Sequence, residues 1–368
     1  MTRKEFLKAC AIFGVGIPLH GTLTACGKDD SPSIPFSGKV IIIGGGAGGL
    51  SAGYFLKQQG TDFQILEASS IYGGRMRIDT DFADFPIPLG AEWLETTPDI
   101  FQQIVNDSSK TVNITTFEDE PDRKFLNYSW FNFFEEYIVP SIANHITFNT
   151  IVQSIDYSGD RIVVDTQNGQ FIADKVVISV PLKILKDGDI DFIPGLPQRK
   201  VDAINNVVVW DGFKAFFEFS TNFYGNEEHV FNINPASSGQ KLYYNASLGQ
   251  NTTKNILGLF VVGTPARDYS FRSGNDLKDF ILNEIDSIYN GQATPNYLNH
   301  IVQDWNSEPF IKGGYISDHS DWKTVRELGN PVDSKLHFAG GAYTDGEDWV
   351  SVHTAALSAK KAITEINE

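Results

Sequence analysis

Apolar residues in this chain come in short runs separated by glycine-rich breaks, and the first run carries the most information. Lys39-Val40-Ile41-Ile42-Ile43 is β-branched without polar alternation, as expected of a strand buried on both faces. Gly44-Gly45-Gly46-Ala47-Gly48-Gly49 follows, then a helical segment over residues 50–59 with Gly60 placed to cap it. Phe63-Gln64-Ile65-Leu66 reads as a second strand ending at Glu67. Further on, residues 146–152 read as one strand, and residues 161–166 and 170–173 flank Asn168-Gly169 as a hairpin. Residues 175–181 form a strand stopped by Pro181, and residues 215–219 and 257–262 read as sheet. Residues 275–289 have helical amphipathicity, residues 335–339 form a late strand, and residues 352–366 a terminal helix. Residues 130–137 form a helix whose aromatics, Trp130, Phe131, Phe133 and Phe134, are dense enough to pack a core.

Gly44-x-Gly46-x-x-Gly49 between a strand and a helix, with an acidic residue closing the next strand, is the fingerprint of a dinucleotide-binding βαβ unit. Gly44 permits the tight turn. Gly46 lets backbone N–H groups approach a pyrophosphate, and Gly49 lets the helix lie close to the strand. The helix start near Ala47 offers unsatisfied N–H donors and a positive dipole end. The Glu67 carboxylate is placed to accept hydrogen bonds from ribose hydroxyls.

Composition adds limits. The chain has 368 residues, 41% of them hydrophobic and 20% charged, enough for a globular core around a cofactor. Binding a nucleic-acid backbone needs clustered Lys and Arg, and with a formal net charge of −17 no nucleic acid partner is expected. The same charge favours solubility and mildly attracts cations. Both cysteines, Cys10 and Cys26, precede the body, which therefore has no thiol for a disulfide, a metal site or a cysteinyl cofactor link. The seven histidines are scattered, and no metal-ligand cluster stands out.

Residues 1–26 read as a signal peptide. Arg3, Lys4 and Lys8 precede an apolar stretch that Gly and Pro interrupt and that is too short for a membrane span. Its end, Leu23-Thr24-Ala25-Cys26-Gly27, resembles a bacterial lipobox, and its start resembles a twin-arginine signal with Lys4 in the second arginine position. The expectation is an exported protein, lipidated at Cys26 and anchored to a bacterial membrane on the periplasmic or cell-surface side. Residues 27–37 then act as a tether.

From about Gly38 onward the motifs resemble those of the flavin-containing amine oxidases, the group of monoamine and polyamine oxidases. Ile65-Leu66-Glu67-Ala68 and Gly73-Gly74-Arg75-Met76 are similar to the family's glutamate and Gly-Gly-Arg segments. Leu89-Gly90-Ala91-Glu92-Trp93 is similar to its next flavin-contact loop. Val152 matches the position whose backbone meets the adenine. Val176-Val177-Ile178-Ser179-Val180-Pro181 matches the strand returning to the substrate region, and Phe338-Ala339-Gly340 with Trp349 the motif that closes over the flavin. The resemblance implies FAD as cofactor, with Gly340, Gly341 and Val350 among its contacts. Gly313-Gly314-Tyr315 stands where some relatives carry a flavin-linking cysteine, which implies a non-covalent FAD. Lys214 lies in an apolar strand with no polar neighbour in sequence; pointing inward, it would have a lowered pKa. It matches the family lysine that holds a water at flavin N5, although strand alternation also allows it to face solvent. Trp305 matches a tryptophan near the flavin ring; packing in the core is its other reading.

The implied architecture is α/β: a Rossmann-type FAD-binding domain (residues 38–95, 147–192 and 331–368) interleaved with a reduced α+β substrate domain (residues 96–146 and 193–330). Three departures from the family bear on function. The aromatic pair that cages the amine maps onto Ile316 and Val352, leaving Tyr315, Tyr343 or Trp349 to supply an aromatic wall. Gly341 replaces the acidic residue that commonly follows Phe-Ala-Gly, leaving Asp345, Glu347 or Asp348 to compensate. The stretch between Trp93 and Ile146 is short. The implied activity is oxidation of a C–N bond in a small-molecule amine, with hydride passing to flavin and dioxygen as acceptor. An apolar substrate desaturated at a C–C bond and a non-catalytic flavin-binding surface lipoprotein are the alternatives. The sequence leaves the oligomeric state open.

Overall fold

The computed structural model describes residues 36–116, 123–226 and 229–368. The signal peptide, the lipidation site Cys26 and nearly all of the tether lie outside them. Along the described chain, β1 (Lys39–Ile43), α1 (Ala47–Gln59) and β2 (Asp62–Leu66) are followed by α2 (Ile100–Val105), α3 (Trp130–Tyr137) and α4 (Val139–Ile142). Then come β3 (Ile146–Thr147), β4 (Val152–Asp156), β5 (Ile162–Thr166), β6 (Gly169–Ala173), β7 (Lys175–Ile178), β8 (Asp191–Ile193) and α5 (Gln198–Asn206). The strands β9 (Gly212–Phe219), β10 (His229–Ala236), β11 (Gly239–Asn245) and β12 (Asn255–Gly263) precede α6 (Gly274–Ile288) and β13 (Tyr297–Asp304). The chain closes with α7 (Trp322–Gly329), β14 (Leu336–Phe338) and α8 (Val352–Ile366).

The first sheet is parallel, in the order β14-β7-β1-β2-β3. Its central strand is covered on both faces, which is why β1 shows no polar alternation. Val40 and Ile42 face α1 and α8, while Ile41 and Ile43 face β4, β5, α5 and α7. The hairpin of β5 and β6 turns at Gly169 (φ +119°) and continues a sheet of order β6-β5-β4-β8. The third sheet, β10-β11-β12-β9-β13, is antiparallel. One of its faces packs on α6 through Phe213, Ala215, Phe217 and Phe219, and the other buries Phe216 against Phe82, Phe85 and Ile87.

Two expectations change. The strand over residues 146–152 is broken into β3 and β4, because Asn149 takes a left-handed φ of +52° and the Thr150 N–H turns back to the Glu67 carbonyl at 2.9 Å. The helices within residues 96–146, grouped by sequence with the substrate domain, pack with the dinucleotide unit. Ile100, Phe101, Trp130, Phe133 and Phe134 share one core with Val40 and Leu50 of the dinucleotide unit. The aromatics of α3 are therefore core, as their density suggests. The described residues make a single body. Among the described residues no helix is long and apolar enough to cross a membrane.

The βαβ unit depends on one close approach. A Cβ at Gly49 would lie 1.8 Å from the Gly44 carbonyl oxygen, a backbone atom that cannot step aside. Gly49→Ala is expected to lower stability by about 3 kcal/mol through overpacking, read as a fall in the denaturant midpoint at unchanged slope. An unchanged midpoint contradicts this packing.

Candidate active site

The C-terminal ends of the parallel strands face the antiparallel sheet across one cavity of about 610 Å³. Its wall takes Ile43, Leu66, Ser179 and Gly340 from the strand ends, and Phe213, Phe260 and Val262 from the antiparallel sheet. Open α/β sheets bind ligands in this crevice.

At one end the wall is built for phosphate and ribose. Gly44 holds φ at +102°, and a Cβ there would sit 2.8 Å from the Ser179 carbonyl oxygen. Gly46 has an ordinary φ of −83°, and a Cβ on it would meet nothing within 4 Å. Its missing side chain thus serves the space in front of the helix rather than the backbone. α1 starts at Ala47 without a side-chain cap, so its first N–H groups are left for a ligand. Glu67 is fixed next to Ala68 in the cavity wall: Oε2 accepts from the Gly45 N–H at 2.6 Å, and Oε1 from the Ser69 N–H and hydroxyl, both at 2.8 Å. Gly49 packs behind this loop and does not reach the cavity wall.

Arg75 follows the turn at Gly74 (φ +53°) and donates to the Gly314 carbonyl. Burial lowers its pKa, with Tyr343 pulling the other way, and no carboxylate among the described residues forms an ion pair with it. This leaves a cation in the wall whose charge suits a pyrophosphate. The Ala91 N–H donates to the Arg75 carbonyl at 2.9 Å, and Gly90 passes so close that a Cβ would lie 1.9 Å from that oxygen. The loop carrying Glu92 and Trp93 is thereby locked to the arginine. Val152, at the start of β4, also lines the cavity, as do Gly341 and Val350. Val350 is β-branched yet has φ +76°, a strained conformation that persists only where its surroundings impose it. The N-terminus of α8 also reaches the wall, at Val352. An opening at Gly46, an unpaired Arg75, an uncapped helix and a fixed Glu67 together fit a dinucleotide such as FAD.

The other end holds Lys214. Alternation along β9 puts it on the same face as Phe216. That face is covered by protein, so Lys214 points inward and is 2% exposed. The sequence shows no polar neighbour for it, but the fold brings Glu92, 122 residues away, to 2.6 Å from its Nζ. The carbonyls of Pro88 and Gly90 accept from the same nitrogen at 2.8 and 3.2 Å. Burial pulls the lysine below its usual range, while the Glu92 charge and hydrogen bond oppose that pull. An ammonium has three hydrogens, and here three acceptors take them. The water-holding role implied by the resemblance needs a free donor, and Lys214 has none to spare.

The remaining expectations resolve as follows. Trp305 is both core and wall: it is 3% exposed, donates from Nε1 to the Leu89 carbonyl at 2.9 Å, and lines the cavity with Arg77 stacked 4.9 Å from its ring. Trp93 lines the cavity edge-on to Tyr244 and Phe260. Val352 and the phenols Tyr315 and Tyr343 are in the wall, whereas Ile316 and Trp349 are not. Asp345, Glu347 and Asp348 do not line the cavity, so none of them replaces the acid missing at Gly341. Asp348 instead faces His353 at 3.4 Å. Tyr244, on the unforeseen strand β11, was not legible as a site residue. Neither was the wall carboxylate Glu308, which pairs with Arg77 at 2.9 Å.

Comparison with known proteins agrees with this geometry. The family described as flavin containing amine oxidoreductase matches residues 136–367, more than half of the chain, and an NAD(P)-binding Rossmann-like domain matches residues 42–107. Polyamine oxidase 2 of Arabidopsis thaliana is 25% identical, with 89% of this chain and 86% of that protein aligned. Lysine-specific histone demethylase 1 homologs 3 and 1 of the same plant are 26% and 28% identical over 55% and 63% of this chain. The chain spans only 13% and 28% of their respective lengths. Wild-type putrescine oxidase bound to putrescine has the same fold, with a TM-score of 0.70 at 15% identity, covering 90% of this chain and 99% of that one. The chain belongs to the flavin-containing amine oxidoreductases, FAD-dependent enzymes built on a Rossmann-like domain.

Proposed function

We propose that this enzyme oxidises a C–N bond of a small-molecule amine, with FAD held non-covalently and dioxygen as electron acceptor. The observation that carries this reading is the continuity of the cavity: the phosphate-accepting end at Gly46, Glu67 and Arg75 and the buried cation Lys214 share one wall. When bound, FAD would supply two-electron acceptor chemistry for the carbon beside the amine nitrogen, with dioxygen as the final oxidant.

The chain's own residues do the rest. Arg75 and the start of α1 bind phosphate, and Glu67 orients the ribose. Trp93, Phe213 and Phe260 present apolar surface that excludes water from the reacting end. Lys214 contributes a positive charge at a fixed place. Gly313-Gly314-Tyr315 and the lack of a thiol in the body support non-covalent attachment by excluding a cysteinyl link. A second reading, desaturation of an apolar C–C substrate, draws on Val352 in the wall where a cage would need an aromatic ring. The proposed location is outside the cytoplasm, on a lipid carried by Cys26.

Three outcomes follow. Incubation with a panel of primary and secondary amines should release hydrogen peroxide stoichiometrically with amine consumed; bleaching of a polyene without peroxide would favour the second reading. Gly46→Val should leave stability within about 1 kcal/mol, the scale of a helix-start substitution, yet weaken FAD retention at least ~10-fold. A variant as yellow as the parent contradicts the placement of the pyrophosphate. Mass spectrometry of membrane-extracted protein should show an acylated Cys26 at a new N-terminus, and an intact Met1 sinks the anchor.

A further inference from the structure

The described residues contain several buried ionisable groups. Lys200 caps the end of α7 by donating to the Glu327, Leu328 and Asn330 carbonyls, which is a structural task. Glu284 ties Tyr243 and Tyr269 together beneath the antiparallel sheet, also away from the cavity. In the cavity wall one buried carboxylate keeps an oxygen without a hydrogen bond among the described residues, and that is Glu92.

Glu92 is 5% exposed and lines the cavity. Its Oε2 accepts from Lys214 Nζ at 2.6 Å and from the Tyr244 hydroxyl at 2.5 Å. Among the described residues Oε1 accepts no hydrogen bond. The rings of Trp93, Phe216 and Tyr244 lie 5.2–5.7 Å from the Lys214 ammonium, so cation–π attraction fills the directions that the three acceptors leave open. The titratable groups in contact with Lys214 are Glu92, from the loop before the short strand at Trp93, and Tyr244, from β11. Burial, and then Glu92, raise the Tyr244 phenol far above its ordinary range, so Tyr244 acts as a donor throughout the accessible pH range.

We infer that Glu92 is the positioning residue of the reacting end: with the Pro88 and Gly90 carbonyls it saturates Lys214, keeping that lysine a fixed cation rather than a water carrier, and Tyr244 orients the carboxylate. This rests on the proposed reading of Lys214 as the cation of the reacting end. It assigns Glu92 a role different from simple flavin contact. Without the Glu92 charge, an ammonium enclosed by three aromatic rings has only backbone carbonyls for partners, and its neutral form becomes favoured.

The test follows the charge of Lys214 directly, in the full-length FAD-loaded protein with 13C at lysine Cε. The signal is assigned by its absence in Lys214→Met. In the parent protein Lys214 should be protonated at pH 7.5. In Glu92→Gln its midpoint should fall by more than one pH unit, leaving it neutral at pH 7.5. Glu92→Asp should give an intermediate midpoint, and it serves if Glu92→Gln does not accumulate. A Lys214 that is already neutral in the parent, or a midpoint indifferent to Glu92, overturns the assignment. The measurement needs no turnover, so failure of amine oxidation and failure of this inference are read separately. A purely structural Glu92 would change thermal stability in Glu92→Gln but leave the lysine midpoint in place.

Discussion

A lysine shut into the apolar face of a sheet needs an anion beside it, and the rest of this site is arranged around that need. Lys214 comes from the antiparallel sheet, and Glu92 from a loop of the dinucleotide half; they meet at 2.6 Å with almost no solvent access. Removing one partner of such a buried pair typically costs about 3–5 kcal/mol, because the other is left charged and unpaired. The pair therefore joins the two halves as well as charging the cavity. The joint reaches further, since the Glu92 loop is bonded through Ala91 to the Arg75 backbone. Arg75 is the cation of the phosphate end.

The two ends of the cavity solve different electrostatic problems. At the phosphate end the protein leaves positive charge unsatisfied: an uncapped helix start, an arginine without a carboxylate, and a glycine that adds nothing to the space in front of it. At the reacting end the positive charge is fully satisfied within the protein. The first arrangement suits a ligand that brings its own negative charge, and the second suits a surface whose charge must stay constant while a substrate comes and goes.

Much of the phosphate end was legible in the sequence because its signals are local. β1, the glycine turn, α1, Gly60 and Glu67 lie within thirty residues, and each is dictated by backbone sterics or strand burial. The terminal helix Val352–Ile366 and the helix Trp130–Tyr137 were also read from the sequence. The reacting end was legible only in part. Lys214 was visible as an anomaly in an apolar strand, but its partner was not, because Glu92 is distant in sequence and was read as a flavin contact. Tyr244 escaped because Gly239–Asn245 does not alternate polar with apolar: Leu242, Tyr243 and Tyr244 are all buried. Residues 96–146 were grouped with the substrate domain; that Ile100, Phe101 and Trp130 pack in one core with Val40 and Leu50 was not legible, because sequence position says nothing about which core a helix joins. The single strand over residues 146–152 failed at Asn149, whose tolerance of left-handed backbone let the chain turn toward Glu67.

The central claim is that one cavity holds FAD at its phosphate end and delivers an amine to it at the Lys214 end. Anaerobic titration of the purified protein with candidate amines, followed in the visible spectrum, tests it in one experiment. The account predicts a flavin spectrum that bleaches to the reduced form with a saturable amine and returns on admission of air. A protein that carries no flavin, or a bound flavin that no amine reduces, would contradict it.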